Sequence, residues 1–229
     1  MTKKFELDDI VLIGRTFDEY YRMFNLGDIS NCDNILDVAS GVSSFCKEAN
    51  SNGYNVTASD RIYCFSPSEI EKKCGEDLEI VLEKLPVLKD SYKWEYFEDI
   101  PALERKRKAA YKIFISDFKE KGNKKYVDVE FPQTSFKYNE FKISLVSHFL
   151  FLYDEHLDYE FHKKTILELI RITSGEIRIF PIINLRYNRS SFIDKIMKDP
   201  EFKDHQMEIH RVDYEFLKNG NEMLKIKVS

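Results

Sequence analysis

The sequence predicts an α/β fold, a three-layer sandwich in which a mostly parallel sheet carries helices on both faces. Short apolar, strand-like runs alternate with amphipathic helical stretches, and a parallel crossover needs a connection long enough to hold a helix. Asn219-Gly220 separates two strand-like runs near the C-terminal end, which indicates an antiparallel hairpin. The 229 residues are 43% hydrophobic with 8 Gly and 6 Pro. This composition excludes a disordered or fibrous chain and supplies a full core.

The first predicted elements are two helices that alternate with two strands. Thr16 and Glu19 have the spacing of a capping box, in which each residue hydrogen-bonds an otherwise unpaired N–H group at a helix start. A short helix is therefore expected to follow and to end near Gly27. The next predicted elements are a strand over 34–39, a helix that starts at Ser43 or Ser44 and ends at Asn52-Gly53, and a strand over 55–60.

Residues 61–122 are predicted to form a helical insertion. Ser66-Pro67 followed by Glu69 is a strong helix start, and apolar residues at helical spacing continue this helix to Pro86. A second helix is predicted over 101–121, with the Arg105–Lys108 run interpreted as its solvated face. We therefore predict one domain over 1–229, with 61–122 forming part of a cover over the substrate.

Strand signals return after Gly122. The predicted elements are strands over 126–131 and 141–147, a helix over 158–173 that ends at Gly175, a strand over 176–183, a helix over 191–198, and strands over 207–216 and 222–228. Because ligands bind at the carboxyl ends of the central strands in such sheets, one rim should carry the chemistry. The residues predicted to share it are Ala39 to Ser44, Asp60, Glu130 and Ser147-His148.

Composition narrows the possible partners and compartment. The formal net charge of −5 disfavours a dedicated nucleic-acid binder, which usually has a basic excess. Four cysteines without CxxC or zinc-type spacing indicate free thiols in a reducing compartment. Residues 1–9 lack the apolar segment of a signal peptide, and the 13-residue apolar run 141–153 is too short to span a bilayer. We expect a cytoplasmic protein that acts on a small molecule, with no nucleic-acid or membrane partner; the oligomeric state is open.

Small residues after the first predicted strand form the first candidate site. The segment is Ile35-Leu-Asp-Val-Ala-Ser-Gly-Val-Ser-Ser-Phe45. Its small residues let backbone N–H groups and a helix N-terminus approach a ligand closely. Asp60 lies at the tip of the second strand, where an acid can accept both hydrogen bonds of a ribose diol. The alternative is an ordinary strand–turn–helix in which Asp60 is a turn residue.

Five segments together resemble the class I S-adenosylmethionine-dependent methyltransferases. The run 35–45 looks like their first motif with glycines replaced by Ala39 and Ser43, 55–60 is similar to the second, and 126–136 with 139–148 resembles the third and fourth. The C-terminal hairpin matches the reversed last strand of their Rossmann-like, seven-stranded fold. Gly14-Arg-Thr-x-x-Glu-Tyr-x-x-Met-Phe24 and Ser147-His-Phe-Leu-Phe-Leu-Tyr153 extend the resemblance to an uncharacterised prokaryotic subgroup.

The resemblance implies methyl transfer from S-adenosylmethionine to a small molecule, and it implies contacts to that cofactor. Arg15 and Tyr20 are expected to close over the methionine end, because a planar guanidinium suits a carboxylate. The implied contacts are Asp37, Ala39, Ser40 and Gly41 at the methionine part, Asp60 at the ribose, Arg61, Ile62, Glu130 and Phe131 at the adenine, and Ser147 and His148 beside the sulfonium.

A catalytic base is needed only if the methyl acceptor carries a proton. His148, Tyr153 and His156 are the local candidates, and histidine has a suitable pKa near neutrality. The alternative for His148 is a capping or packing role. The acidic cluster around His156 is interpreted as a solvated loop, since its spacing does not suit a metal site.

Two other functions compete with methyl transfer. Tyr159-x-x-x-Lys163, twelve residues after Ser147, is near the Ser–Tyr–Lys arrangement of the NAD(P)-dependent short-chain dehydrogenases. The glycine-rich nicotinamide loop of that family is missing, however. The second competitor is a catalytically silent protein that binds S-adenosylmethionine or only interacts with partners.

Overall fold

A seven-stranded sheet forms the centre of the structure, a computed structural model that describes residues 11–229. The expectation about a signal peptide over residues 1–9 lies outside the described residues. The strands are β1 (Asn34–Val38), β2 (Asn55–Ser59), β3 (Tyr126–Val127), β4 (Phe141–Ser147), β5 (Thr173–Phe180), β6 (Gln206–Arg211) and β7 (Glu222–Lys227). The helices are α1 (Phe17–Met23), α2 (Phe45–Ser51), α3 (Pro67–Lys84), α4 (Ile100–Lys121), α5 (Tyr159–Ile172) and α6 (Phe192–Lys198).

The strand order is β3-β2-β1-β4-β5-β7-β6. The first five strands in this order are parallel, whereas β7 runs antiparallel between β5 and β6. The order reverses next to β1, so the carboxyl ends of β1 and β4 flank the crevice where such sheets bind ligands. The predicted fold, a mostly parallel seven-stranded sheet with a reversed C-terminal strand, is confirmed.

Alternating residues of the central strands divide the core between the two faces of the sheet. On one face, Ile35 and Leu145 pack with apolar side chains of α1, α2 and α4. On the other face, Leu36, Val38 and Val146 pack with α5 and α6. Because successive side chains of a strand point to opposite faces, the side chains of Asp37 and Ser147 lie on the face of α1, α2 and α4.

Sequence-encoded caps set several helix starts where they were predicted. Thr16 and Ser66 each form a capping box, with Glu19 and Glu69 respectively. Asp99 and Asp158 accept backbone hydrogen bonds at the starts of α4 and α5. These local interactions explain why the helix bounds agree with the sequence pattern to within about two residues, except that α1 ends at Met23 and not near Gly27.

The bounds of β3, β5 and β6 differ from the predicted ones by three residues or more. β3 ends at Val127 because the chain then leaves the sheet and closes a local bridge between Glu130 and Gln133. β5 begins at Thr173, directly after α5, so Gly175 lies in a strand and does not end a helix. A Cβ at Gly175 would lie 2.6 Å from the Lys142 carbonyl oxygen, so the glycine permits the close approach of β4.

The predicted C-terminal hairpin is present, but its two strands are not joined by a tight turn. β6 ends at Arg211 and β7 begins at Glu222, so a connection over 212–221 replaces the predicted two-residue turn. Asn219 has a positive φ of 65° inside this connection, and Leu217 pairs with Tyr92 of the segment between α3 and α4. The connection therefore packs against the segment predicted as a cover.

The segment 61–122 contributes directly to the core. Tyr111, Phe114 and Phe118 of α4 pack with Val56 and Ala58 of β2, and α3 packs against α4. The helix α4 thus lies in the crossover between the parallel strands β2 and β3. The division of the chain into one domain with a cover over 61–122 stays a prediction.

Two further expectations concern the cysteines and the membrane. All four cysteines are free thiols, with Cys46 and Cys74 buried and Cys32 and Cys64 exposed. Over residues 11–229, no helix has both the length and the apolar content needed to cross a bilayer.

Candidate functional site

The carboxyl ends of β1, β2 and β4 form the candidate site. Val38 is in register with Ser59 of β2 and with Val146 of β4. The residues that follow these strands, Ala39 to Gly41, Asp60, and Ser147 with His148, therefore meet along one rim, where the sequence predicted them.

The loop after β1 has a left-handed backbone at two positions. Ala39 has a φ of 49° and Gly41 a φ of 58°. The Gly41 N–H donates to Asp60 Oδ2 at 2.8 Å, and the Tyr63 hydroxyl donates to the Gly41 carbonyl at 2.8 Å. Tyr63 also shares a 2.7 Å hydrogen bond with Ser40. Sequence reasoning missed Tyr63, because no local pattern distinguishes it from an ordinary core tyrosine.

Asp60, the residue after β2, accepts hydrogen bonds that connect β2 to the loop after β1. Its Oδ1 accepts from the Ile62 N–H at 3.0 Å, while Oδ2 accepts from Gly41. Burial raises the pKa of Asp60, although both N–H donors lower it. Each oxygen has a second lone pair, so the carboxylate can still accept hydrogen bonds from a ligand diol. The negative charge of Asp128 also raises this pKa, so Asp128, which was not selected from the sequence, acts on the same region.

Asp37 is a fully buried carboxyl group under the loop. Its Oδ1 accepts a 3.0 Å hydrogen bond from the Tyr20 hydroxyl. Within the described residues, Oδ2 is buried and has no hydrogen-bond partner; Ser40 is close enough to lower the pKa of Asp37, but its hydroxyl bonds to Tyr63. Burial raises this pKa well above its usual value. A buried oxygen without a partner is costly, so it favours the binding of a donor or a cation.

Arg15 supplies the complementary unpartnered group. Its Nε is buried and has no hydrogen-bond partner among the described residues, while Nη1 makes a long contact of 3.4 Å to the Ile13 carbonyl. The Arg15 carbonyl accepts 2.9 Å hydrogen bonds from Ser43 Oγ and from the Ser44 N–H. These bonds fix the segment before α1 against the start of α2 and hold the guanidinium near the rim.

A buried ion pair between α4 and α1 also holds the segment before α1 in place. Arg107 of α4 donates to both carboxylate oxygens of Glu19, at 2.7 and 2.9 Å, and to the Gly14 carbonyl at 2.8 Å. The Tyr214 hydroxyl donates to Glu19 at 2.7 Å. The interpretation of 105–108 as a solvated face is therefore wrong at Arg107, which is only 4% exposed. Its partner is distant in sequence, so the local charge pattern did not reveal the pair.

Tyr20, Ser147 and His148 form the polar centre of the rim. Ser147 Oγ lies 3.0 Å from His148 Nδ1. Burial and the charge of Asp37 raise the pKa of Tyr20, and the nearby Ser147 hydroxyl lowers it. His148 has a positive φ of 53°, and its N–H donates to the Phe180 carbonyl at 2.7 Å. Burial and the charges of Arg15 and Arg107 lower the pKa of His148 well below its usual value, so its imidazole is neutral at pH 7.

The other predicted site residues differ in how deeply they are buried, and their roles stay predictions. The Ile62 side chain is in the core, so its backbone N–H is the part at the rim. Arg61 and Glu130 form a more exposed ion pair at 3.4 Å. Phe131 is buried, with its ring centroid 6.4 Å from that of Phe149. Burial raises the pKa of Tyr153, and the charge of Arg15 offsets part of this shift.

The Ser–Tyr–Lys arrangement of a dehydrogenase is not assembled. The Tyr159 hydroxyl donates to Asp199 at 2.7 Å, and Lys163 forms an ion pair with the same carboxylate at 2.9 Å. Tyr159 packs against the core on the α5 and α6 face, whereas Ser147 lies on the opposite face of the sheet. The three side chains therefore do not meet.

Comparison with known proteins identifies one full-length relative. The chain is 50% identical over 222 residues to the uncharacterised protein MJ0045 of Methanocaldococcus jannaschii, which covers 96% of this chain and 97% of that protein. The chain belongs to the same family as MJ0045. No protein-family model matches the chain.

Several solved structures are similar to this one at low sequence identity. A S-adenosylmethionine-dependent methyltransferase from Aquifex aeolicus is 11% identical, with a TM-score of 0.47 over 92% of this chain and 93% of that one. A S-adenosylmethionine-dependent methyltransferase from Methanosarcina mazei is 12% identical, with a TM-score of 0.44 over 88% and 93%. Magnesium protoporphyrin IX methyltransferase from Synechocystis, with bound S-adenosylmethionine, is 14% identical, with a TM-score of 0.45 over 90% and 74%.

Proposed function

We propose that this chain binds S-adenosylmethionine at the rim of β1, β2 and β4 and transfers its methyl group to a small molecule. The main support is that two buried atoms, Asp37 Oδ2 and Arg15 Nε, have no hydrogen-bond partner within residues 11–229. Both charges act on the same Tyr20 hydroxyl, whose pKa Asp37 raises and Arg15 lowers. A carboxylate and a guanidinium around one hydroxyl are complementary to the ammonium and carboxylate groups of an amino acid.

The other residues of the rim fit the rest of the same ligand. Asp60 retains acceptor capacity for the hydroxyls of a ribose. Arg61, Glu130 and Phe131 lie on the segments after β2 and β3, beside Asp60, where an adenine would follow the ribose. The loop of Ala39, Ser40 and Gly41 has small or no side chains, so a ligand can approach its backbone.

When bound, S-adenosylmethionine supplies an electrophilic methyl group: the acceptor gains the methyl, sulfur keeps the electron pair of the broken carbon–sulfur bond, and an acceptor that carried a proton loses it. The chain contributes position and exclusion of water. The bonds of the Arg15 carbonyl to Ser43 and Ser44 hold the segment before α1 at the rim, and the pair of Arg107 with Glu19 holds it against α4.

Calorimetry with two related ligands tests this proposal. S-adenosylhomocysteine carries the amino-acid end, whereas 5′-methylthioadenosine lacks it. We expect the wild-type chain to bind S-adenosylhomocysteine at least tenfold more tightly, because a partnered buried charge is worth about 1–3 kcal/mol. In Arg15→Ala this preference should shrink towards none.

Arg22→Ala is the matched control, because it removes an exposed arginine of α1 that contacts Asp18 at 3.0 Å and lies 5.5 Å from the centre of the Tyr96 ring. The control should keep the wild-type preference. Equal affinity of the wild-type chain for the two ligands would contradict the assignment of Arg15 and Asp37.

A further inference from the structure

Arg178 of β5 is a fully buried cation on the face of the sheet that α1 covers. Its Nε donates to Glu176 Oε1 at 2.6 Å, and its Nη2 donates to Asp28 Oδ1 at 2.8 Å. Its Nη1 donates to the carbonyls of Phe24 and Asn25, the latter at 3.0 Å. Burying a guanidinium costs free energy even when it is paired, so a specific role is expected for this one.

The two carbonyls belong to the C-terminal end of α1. Phe24 is the residue directly after the helix, and Asn25 follows with a positive φ of 49°. The last carbonyls of a helix have no partner inside it, and a cation is favoured there. The Phe24 N–H donates to the Tyr20 carbonyl at 3.0 Å, and the two rings lie 5.5 Å apart. Arg178 therefore holds the chain one helical turn after Tyr20.

The sheet register independently places Arg178 in line with Asp37. Asp37 is paired with Leu145 of β4, and Leu145 is paired with Arg178 of β5. Because paired residues of neighbouring strands point to the same face, all three side chains lie on the side of α1. Leu145 packs in the core with Tyr20 and Phe24. The helix α1 thus spans one row of the sheet, with Tyr20 bonded to Asp37 and the helix end bonded to Arg178.

We propose that Arg178 is a positioning residue of the cofactor site: it fixes α1 on this row and keeps the Tyr20 hydroxyl on Asp37 Oδ1, which leaves Oδ2 for the ligand. The part that concerns the ligand rests on the proposed function. The helix α1 has seven residues, too few for a stable helix on its own, so its place depends on contacts at both ends. Glu19 anchors its first turn through Arg107, and Arg178 anchors its end.

Replacing Arg178 by methionine removes this anchor without leaving a buried charge unpaired. Asp28 is 59% exposed, and Glu176 keeps its ion pair with Lys225 at 2.6 Å. Methionine is unbranched and adapts to irregular space in a core, so we expect Arg178→Met to fold. Arg178→Lys is the conservative variant, because it keeps a positive charge and a donor for the carbonyls at the end of α1.

A double-mutant cycle between Arg178 and Tyr20 tests the proposal, since residues that act through one contact have non-additive effects. Urea denaturation of the wild type, Arg178→Met, Tyr20→Phe and the double variant requires no cofactor. We expect Tyr20→Phe to lower the free energy of unfolding less in Arg178→Met than in the wild-type chain, because the contact of Tyr20 with Asp37 is already weakened there. Additive effects on unfolding would overturn the proposal.

Calorimetry with S-adenosylhomocysteine gives a second cycle on the same four proteins. We expect Arg178→Met to weaken binding about tenfold in the wild-type background, as when one hydrogen bond to a charged group is lost. In the Tyr20→Phe background the same substitution should weaken binding less than about twofold, because the contact that Arg178 positions is already absent. Arg178→Lys should recover part of the affinity.

Arg171→Met is the matched control. Arg171 also donates to a loop carbonyl, that of Phe136 at 2.8 Å, and pairs with Glu168, but it lies on α5 on the opposite face of the sheet. This variant should bind S-adenosylhomocysteine as the wild type does. Equal losses of affinity in Arg171→Met and Arg178→Met, or additive losses in the binding cycle, would overturn the proposal. Absence of binding to the wild-type chain would instead contradict the proposed function, and the unfolding cycle would then decide the role of Arg178.

Discussion

Ala39 combines a strained backbone with a small side chain at the rim. Its φ of 49° is a left-handed conformation, which costs a residue with a Cβ about 1–2 kcal/mol, and such strain is concentrated at functional sites. The resemblance places a glycine of the first cofactor motif at this position. The strain explains why a glycine suits the position, while the methyl side chain of alanine is still small enough for a ligand to approach the loop.

Replacing Ala39 by glycine should relieve this strain. We expect Ala39→Gly to raise the free energy of unfolding by about 0.5–1 kcal/mol, the relief being partly offset by the larger backbone entropy of glycine in the unfolded chain. Urea denaturation measures the change. Ala49→Gly in the interior of α2 is the control and should lower stability by about 1 kcal/mol. An Ala39→Gly variant with a lower free energy of unfolding than the wild type would contradict the interpretation that Ala39 is strained.

Replacing Asp60 is the most direct test of which residue contributes to cofactor affinity. We expect Asp60→Ala to weaken binding of S-adenosylhomocysteine by about 1–3 kcal/mol, because hydroxyl groups of the ligand lose their acceptor. Asp33→Ala removes an acid just before β1, at the opposite end of the strand, and should leave the affinity unchanged. Unchanged calorimetric affinity in Asp60→Ala would remove Asp60 from the site.

His162 makes stability depend on pH. Burial lowers the pKa of this side chain below its usual value of 6.5, so below pH 6.5 the unfolded chain binds more protons than the folded chain. Stability should therefore fall as the pH drops from 6.5 towards the lowered pKa. Comparing urea denaturation of the wild type and His162→Gln at pH 7.5 and 5.5 isolates this effect. An equal loss of stability between pH 7.5 and 5.5 in the wild type and in His162→Gln would contradict the role of His162.

At the scale of the elements, local signals were sufficient for the helices and insufficient for some strand ends. The capping boxes at Thr16 and Ser66 involve only residues three positions apart, so the sequence predicts them. The end of β3 and the connection of β6 to β7 depend on distant partners, such as the pairing of Tyr92 with Leu217. Periodicity does not encode such contacts.

The pair of Arg107 with Glu19 joins α4 to α1, and its removal should be costly. Arg107→Ala leaves the fully buried Glu19 carboxylate without its main partner, so we expect it to lower the free energy of unfolding by about 3–5 kcal/mol. Arg105→Ala, one of the exposed positions of the same helix, should change stability by no more than about 0.5 kcal/mol. Equal effects in thermal denaturation would contradict the buried role of Arg107.

At the scale of the whole molecule, the topology brings the site together. Ala39, Asp60, Ser147 and His148 could be predicted as one rim because each follows or ends a recognisable strand and parallel strands share their carboxyl edge. Tyr63, Arg107 and Tyr214 could not, because their importance comes from contacts across the fold: the Tyr214 hydroxyl meets a carboxylate 195 residues earlier. The residues at the strand ends are thus easier to predict from the sequence than the residues that hold them in place.

The account as a whole rests on one claim, that this rim binds the nucleoside and amino-acid parts of S-adenosylmethionine. Calorimetric titration of the wild-type chain with S-adenosylhomocysteine, and separately with NADPH, tests it most directly. We predict saturable binding of S-adenosylhomocysteine at one site per chain and no binding of NADPH. Binding of NADPH alone, or of neither ligand, would contradict the account.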